Sequence, residues 1–219
     1  MYDMIVLGAT FAAAGIAQQF GARCLVIEHR ARAGSEFFGA LRNLDQEAEL
    51  HSRFENCHLL FHTQVVSVEN EGDGFVCVTH GVDGFRTYRA KKIIDTRCTD
   101  AICQSKFFNL LIESEDTPDF ANIRWERARG ENRYLLSCPV DPGCTYSQAR
   151  EMALEIVKQF HQGQRLILSA DVFDYQVEGA YPNIQNGIVH LPSKAYETPE
   201  LALAAGISLG KEVASDASF

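Results

Sequence analysis

No apolar run in this chain approaches the ~20 residues that span a bilayer, and no stretch concentrates lysine and arginine. The first absence excludes a membrane-spanning helix. The second, joined to a net charge of −9, argues against a nucleic-acid partner. The opening residues lack the basic-then-apolar layout of a secretion signal, because Met4 to Leu7 is too short for its apolar core. With no export signal, the seven cysteines, an odd number, are expected to be reduced thiols of a cytoplasmic protein. His51, His58, His62 and His80 show no ligand spacing such as H-x3-H, so no metal centre is expected. No G-x-S-x-G elbow occurs, which leaves a Ser-His-Asp hydrolase unsupported.

What is present is concentrated at the start. Met4 to Leu7 form an apolar run, Gly8-Ala9-Thr10-Phe11-Ala12-Ala13 a small-residue turn, and an alanine-rich segment then runs to Gly21 as a helix cap. Cys24 to Ile27 form a second apolar run closed by Glu28, which follows Gly8 by 20 residues. Strand, turn, helix, strand and acid at that distance predict a dinucleotide-binding βαβ unit, with the acid accepting ribose hydroxyls. The glycine pattern is incomplete. Gly8 permits the tight turn and Ala13 can replace the third glycine, but Thr10 stands where a pyrophosphate comes closest. Its side chain either crowds the phosphates or donates its hydroxyl to them. An ordinary βαβ unit that binds nothing is the plainer alternative.

At 219 residues and 46% hydrophobic, the chain is long enough for a real core in one or two domains. Residues 29–43 read as an irregular loop and Leu44 to Phe54 as a helix. Leu59 to Val68, Gly74 to His80 and Phe85 to Ala90 are strand-like, and turns as short as theirs predict an antiparallel meander. Lys92 to Thr96 is expected as a further apolar strand. Beyond it, Ile123 to Ala128 and Tyr134 to Cys138 flank a Gly130-Glu131-Asn132 turn, and Thr145 with Gln148 forms a capping box. Ala149, Met152, Ala153, Ile156, Val157 and Phe160 make one apolar helix stripe ended by Gly163, and Arg165 to Val177 is a strand region. Near the end, Thr198 is a good N-cap, Pro199 suits the first turn and Glu200 complements the dipole. Ala202, Gly206 and Gly210 recur every four residues, a stripe that lets a backbone, a sheet or a ligand come close.

Five segments, DMIVLGATFAAAGIA, LVIEHR, FHTQVVSVE, AKKIIDTRCTD and NGIVHLPSKAYETPELALAAGISLG, together resemble the two-dinucleotide-binding-domain (glutathione-reductase-like) flavoprotein superfamily, and within it bacterial FAD-dependent oxidoreductases. The resemblance covers residues 1–104 and 186–214. It implies an α/β fold: a Rossmann-like FAD-binding domain with an antiparallel meander and a small α+β insertion, residues 105–185, as the substrate or cap segment. It places Gly8, Thr10, Ala12 and Ala13 at the pyrophosphate, Glu28 at the adenosine ribose, Val65 at the adenine and Thr198 to Leu201 at the flavin end, with Phe11, His29 and Thr96 as further cofactor-binding candidates. Arg42, His190, Lys194 and Tyr196 flank segments expected near the isoalloxazine and are the catalytic candidates.

Departures from that pattern are specific. Thr96-Arg97-Cys98 replaces the family's Ala-Thr-Gly, and Pro192-Ser193-Lys194 replaces its Gly-Asp. Lys194 then either pairs with a phosphate or faces water. Cys98 and Cys103, spaced C-x4-C, follow a late strand instead of the ribose acid, so ordinary thiols are expected in place of a flavin-stacked disulfide. No second glycine fingerprint follows the first. Electrons would therefore come from a small-molecule substrate, a diffusing donor or an electron-transfer partner. An insertion of about eighty residues either leaves the flavin face open or is completed by another subunit. The alternative to an oxidoreductase is a non-catalytic nucleotide-binding or scaffold member of the same fold.

Overall fold

The computed structural model describes residues 1–38, 44–99, 102–128, 130–161 and 163–215. Their contacts divide into two compact units. The first holds the described residues of Met1–Phe37, Asn43–Cys98 and Gly179–Phe219, the second those of Phe38–Arg42 and Thr99–Glu178.

The first unit begins with strand β1 (Tyr2–Leu7), helix α1 (Phe11–Phe20) and strand β2 (Cys24–Ile27). β1 and β2 pair in parallel, from Met4 opposite Cys24 to Leu7 opposite Ile27. All eight of these side chains are buried, as expected of parallel strands covered on both faces. Gly21, with φ 54°, ends α1 as the sequence predicts. Two helices follow, α2 (Ser35–Phe38) and α3 (Leu44–Ser52).

The segment expected as a single strand, Leu59 to Val68, is two. β3 (His58–Leu60) joins β2 in parallel, whereas β4 (Gln64–Asn70) opens the meander with β5 (Phe75–Gly81). The break lies at His62, whose φ of 51° turns the chain. There the His62 N–H donates to the Arg30 carbonyl and the Thr63 N–H to the Glu28 carbonyl. Conversely, the strands expected at Phe85 to Ala90 and Lys92 to Thr96 are one, β6 (Gly84–Asp95). Its first half pairs antiparallel with β5 and its second half parallel with β1, so one long strand carries the chain from meander to core.

The second unit contains β7 (Ser105–Ser114), β8 (Arg124–Arg127), β9 (Arg133–Val140), α4 (Tyr146–Val157) and β10 (Gln164–Gln176). Its antiparallel sheet runs β10-β7-β9-β8. The β8–β9 hairpin and the Thr145–Gln148 capping box are those predicted. The central strand β7 was not among the expected ones. Lys106, Phe108, Leu110, Ile112 and Ser114 alternate into the core, so a lysine heads the buried face. Its Nζ donates to the Cys144 carbonyl at 2.8 Å and lies 3.9 Å from the centre of the Phe173 ring. Ala149 and Ala153 of α4 are buried on this core, but Met152, expected in the same stripe, is 45% exposed. It stands about 100° round the helix from Ala153.

The chain then adds β11 (Asn183–Gln185), β12 (Ile188–His190) and helix α5 (Pro199–Ser215) to the first unit. β12 lies parallel to β6, giving the order β11-β12-β6-β1-β2-β3 with the meander branching from β6. The small-residue stripe of α5 meets helix α1. A Cβ on Gly206 would lie 2.0 Å from the Ala12 carbonyl oxygen, and one on Gly15 of α1 2.5 Å from the Leu203 carbonyl oxygen. None of the seven cysteines is in a disulfide. Among the described residues no helix is long and apolar enough to cross a membrane, and no three His, Cys, Asp or Glu side chains are grouped to hold a metal.

Candidate functional site

β1 delivers the chain to Gly8, whose φ of 91° and close neighbours admit no side chain: a Cβ would sit 2.7 Å from Cγ of Arg97. Thr10 then caps α1. A helix start exposes backbone N–H groups and the positive end of the dipole, a ready place for an anion. Here the chain's own groups meet them. The Phe11 N–H donates to Oε1 of Glu36 at 2.9 Å, Ala12 N–H to Oγ of Ser193 at 3.4 Å, and Ala13 N–H to Oγ1 of Thr10 at 3.1 Å. Ser193 also donates its hydroxyl to Oε1 of Glu36 at 2.9 Å. A carboxylate thus stands in the anion position. Burial holds the Glu36 carboxyl above the ordinary glutamate range, against the hydrogen bonds from Phe11 and Ser193, and the charge of Glu28 adds to the rise.

Thr10 is engaged with the protein's own groups. Its Oγ1 donates to Oγ1 of Thr96 at 2.8 Å while accepting from Ala13, and Thr96 in turn donates to the Leu7 carbonyl at 2.9 Å. Both threonines are buried and tie the turn to β1.

Glu28, at the end of β2, is 4% exposed. Its Oε2 accepts the Ala9 N–H at 2.9 Å, and its Oε1 accepts the Arg30 N–H at 2.9 Å and meets Nδ1 of His29 at 3.0 Å. Burial alone would raise its pKa. The bonds from His29, Arg30 and Ala9 outweigh that and hold the carboxyl below the ordinary range.

Its chain neighbours Ile27 and His29 line a cavity of about 600 Å³, together with His62, Thr63, Val65, His80 and Arg97 among others. The volume lies within the range of small-molecule sites. Of the expected residues, His29 and Val65 line it. Arg97 reaches its wall braced by Asp95, to which Nε and Nη2 donate at 2.9 and 2.7 Å.

The remaining expected residues are spread along the returning segment. His190 ends β12 opposite Asp95, and Lys194 sits in a short 3-10 turn with Nζ 5.0 Å from the centre of the Phe37 ring. Tyr196 follows that turn, its phenol pKa raised by burial. Thr198 caps α5, its Oγ1 accepting the Leu201 N–H at 3.3 Å, and Leu201 is 51% exposed. Arg42 lies outside the described residues. Burial pushes the Cys138 thiol up to about 12 and those of Cys57 and Cys77 to about 11, so these three are protonated at neutral pH.

Glu36 was missed as a site residue. It lies in a segment with no local periodicity, and nothing in the sequence joins it to Phe11, 25 residues away. Ser193 was marked only as a departure from a family pattern.

No protein-family model matches this sequence, and no curated protein does. Solved structures match its fold. An anhydrotetracycline hydroxylase from Streptomyces rimosus superposes with a TM-score of 0.64 at 12% identity, over 97% of this chain and 62% of that one. An aklavinone-11 hydroxylase, in a ternary complex with FAD and aklavinone, gives 0.62 at 12% identity, over 98% and 62%. A flavoprotein/dehydrogenase from Cytophaga hutchinsonii gives 0.59 at 12% identity, over 97% and 78%. The fold is shared with flavoproteins. This chain spans 62% of the length of both hydroxylases.

Proposed function

We propose that this chain binds FAD and is the flavin-holding part of an oxidoreductase that acts on a small organic molecule. One observation carries the reading: His29, next in the chain to the carboxylate that ends β2, lines a cavity of about 600 Å³, on a fold shared with an FAD-bound hydroxylase. The adenosine end fits. Val65 and Thr63 offer an apolar and a polar wall for the adenine, and His29 and Glu28 lie where ribose hydroxyls are accepted. Oε2 of Glu28 keeps a lone pair beyond the bond from Ala9. The pyrophosphate would run past Gly8 and the Thr10-to-Ala13 helix start, where Phe11 and Ala12 supply N–H groups. Thr198 and Leu201 are assigned to its flavin side, with His190, Lys194 and Tyr196 as candidates beside the flavin ring, while Thr96 braces the turn at Thr10. When bound, the flavin supplies the electron acceptor, and the protein's part is orientation and electrostatics.

The finer family placement belongs to this proposal. The matched hydroxylases favour direct oxidation of an organic substrate over disulfide reduction, in keeping with the protonated Cys57, Cys77 and Cys138. A second reading, a non-catalytic member of the fold, is favoured by the carboxylate of Glu36 in the anion position. The visible spectrum of protein incubated with FAD and desalted separates binding from its absence. Photoreduction followed by reoxidation with a substrate or acceptor then separates the oxidoreductase from the scaffold.

A further inference from the structure

We infer that Glu36 is an internal anion that holds the pyrophosphate cradle closed, so that FAD enters only by displacing it. The inference rests on the FAD reading above and adds a competitor to it. Two features make Glu36 a rival of the cofactor instead of a ligand to it. It bears the same sign of charge as a phosphate, and it occupies the Phe11 N–H that a phosphate on this helix start would use. Ser193 reinforces the closure by bridging the Glu36 carboxylate and the Ala12 N–H, so the second donor of the cradle is engaged in the same closure.

Glu36 is carried by a short turn. Gly34, at φ 72°, donates its N–H to the Ala9 carbonyl and starts α2, a single turn of four residues. Ser35 is hydrogen-bonded to the Arg30 guanidinium, and Phe37 meets Phe11 edge-on at 5.7 Å between ring centres. Around the carboxylate, Glu28 repels it, while Lys194 stands over Phe37 and Arg30 at Ser35. Burial and the charge of Glu28 oppose the ionised form, and the Phe11 N–H and the Ser193 hydroxyl favour it. A short turn behind a glycine, carrying a carboxylate in a desolvated position, forms a latch that an incoming diphosphate displaces. The adenosine cavity, lined by His62, Val65 and His80, shares no lining residue with this latch.

Calorimetric titration of the full chain and of its Glu36→Ala and Glu36→Gln variants, each with FAD, ADP and adenosine, tests the inference. FAD and ADP, which carry a diphosphate, are expected to bind Glu36→Ala about tenfold or more tightly than the unaltered chain, the size of one hydrogen bond to a charged group. Adenosine, which carries none, is expected to bind all three proteins alike. Glu36→Gln keeps the acceptor but not the charge, so it is expected to fall between them, and it carries the test if the alanine variant does not fold. Equal FAD affinity in all three proteins overturns the latch and leaves the FAD reading standing. A gain for adenosine equal to that for FAD also overturns it, since the effect would not lie at the phosphates. If the folded chain and both variants take neither FAD nor ADP, the FAD reading falls and the latch with it.

Discussion

Gly206 of α5 abuts the carbonyl of Ala12 in α1 so closely that an added Cβ would lie 2.0 Å from the oxygen. The contact is backbone against backbone, and it fixes the first turn of α1, the turn whose N–H groups form the candidate site. Gly206→Ala gains about 1 kcal/mol of helix propensity. The overlap outweighs it, because neither backbone can yield without shifting its helix. A net loss of about 1–3 kcal/mol is expected, as for other overpacked sites. Urea unfolding measures it, and a stabilised variant would contradict the packing described.

The two buried threonines give a second test. Thr96→Val keeps the shape and removes the hydroxyl that accepts from Thr10 and donates to the Leu7 carbonyl. The Thr10 hydroxyl loses its acceptor, while the Leu7 carbonyl still accepts the Thr96 N–H, and the change is expected to cost about 1–3 kcal/mol. Thr10→Ala also removes a helix N-cap, for which ~1 kcal/mol is typical. The two residues share one hydrogen bond, so the double variant should lose less than the sum of the singles. Strict additivity, measured by chemical denaturation, would show that the bond contributes nothing.

Two carboxylates in one site give opposite pH dependences. Glu28 has a lowered pKa in the fold, so its stabilisation is present above the ordinary glutamate value and is lost as pH falls through the lowered one. Glu36 has a raised pKa, so its contribution is full below the ordinary value and is lost as pH rises through the raised one. The stability of Glu36→Gln relative to the unaltered protein should therefore improve as pH rises from the ordinary glutamate value toward the raised one. For Glu28→Gln it should worsen at lower pH, as pH rises from the lowered value to the ordinary glutamate one. Calorimetric unfolding at several pH values reads both, and parallel trends for the two variants would contradict the assignment.

In the second unit, Lys106→Met is expected to lose about 1–3 kcal/mol, because it leaves the Cys144 and Pro142 carbonyls without the ammonium that meets them. Thermal unfolding gives the comparison. No loss would mean that the lysine is replaceable by any chain of its length.

Local chemistry made much of this structure legible. The β1–α1–β2 unit, the Gly21 end of α1, the Thr145 capping box, the β8–β9 hairpin and the Thr198 cap each depend on residues a few positions apart. β7 did not read as a strand because Lys106, whose charge is met by carbonyls 36 and 38 residues away, heads its buried face. β6 read as two strands because its halves have different partners and different burial patterns. The candidate site divides the same way. Glu28 and its distance from Gly8 were legible, since the spacing of a βαβ unit is set by its own length. Glu36 and Ser193 were not, because their roles depend on meeting α1 across 25 and 181 residues of sequence.

FAD titration of the purified chain beside Glu28→Ala tests the central claim most directly. The unaltered protein is expected to saturate with one FAD per chain and to retain its flavin absorption through desalting. The variant, folded by circular dichroism, is expected to bind about ten- to a hundredfold more weakly, as befits one or two charge-assisted hydrogen bonds to the ribose. A folded, colourless protein that ignores added FAD, or equal affinity in the two proteins, would contradict the account.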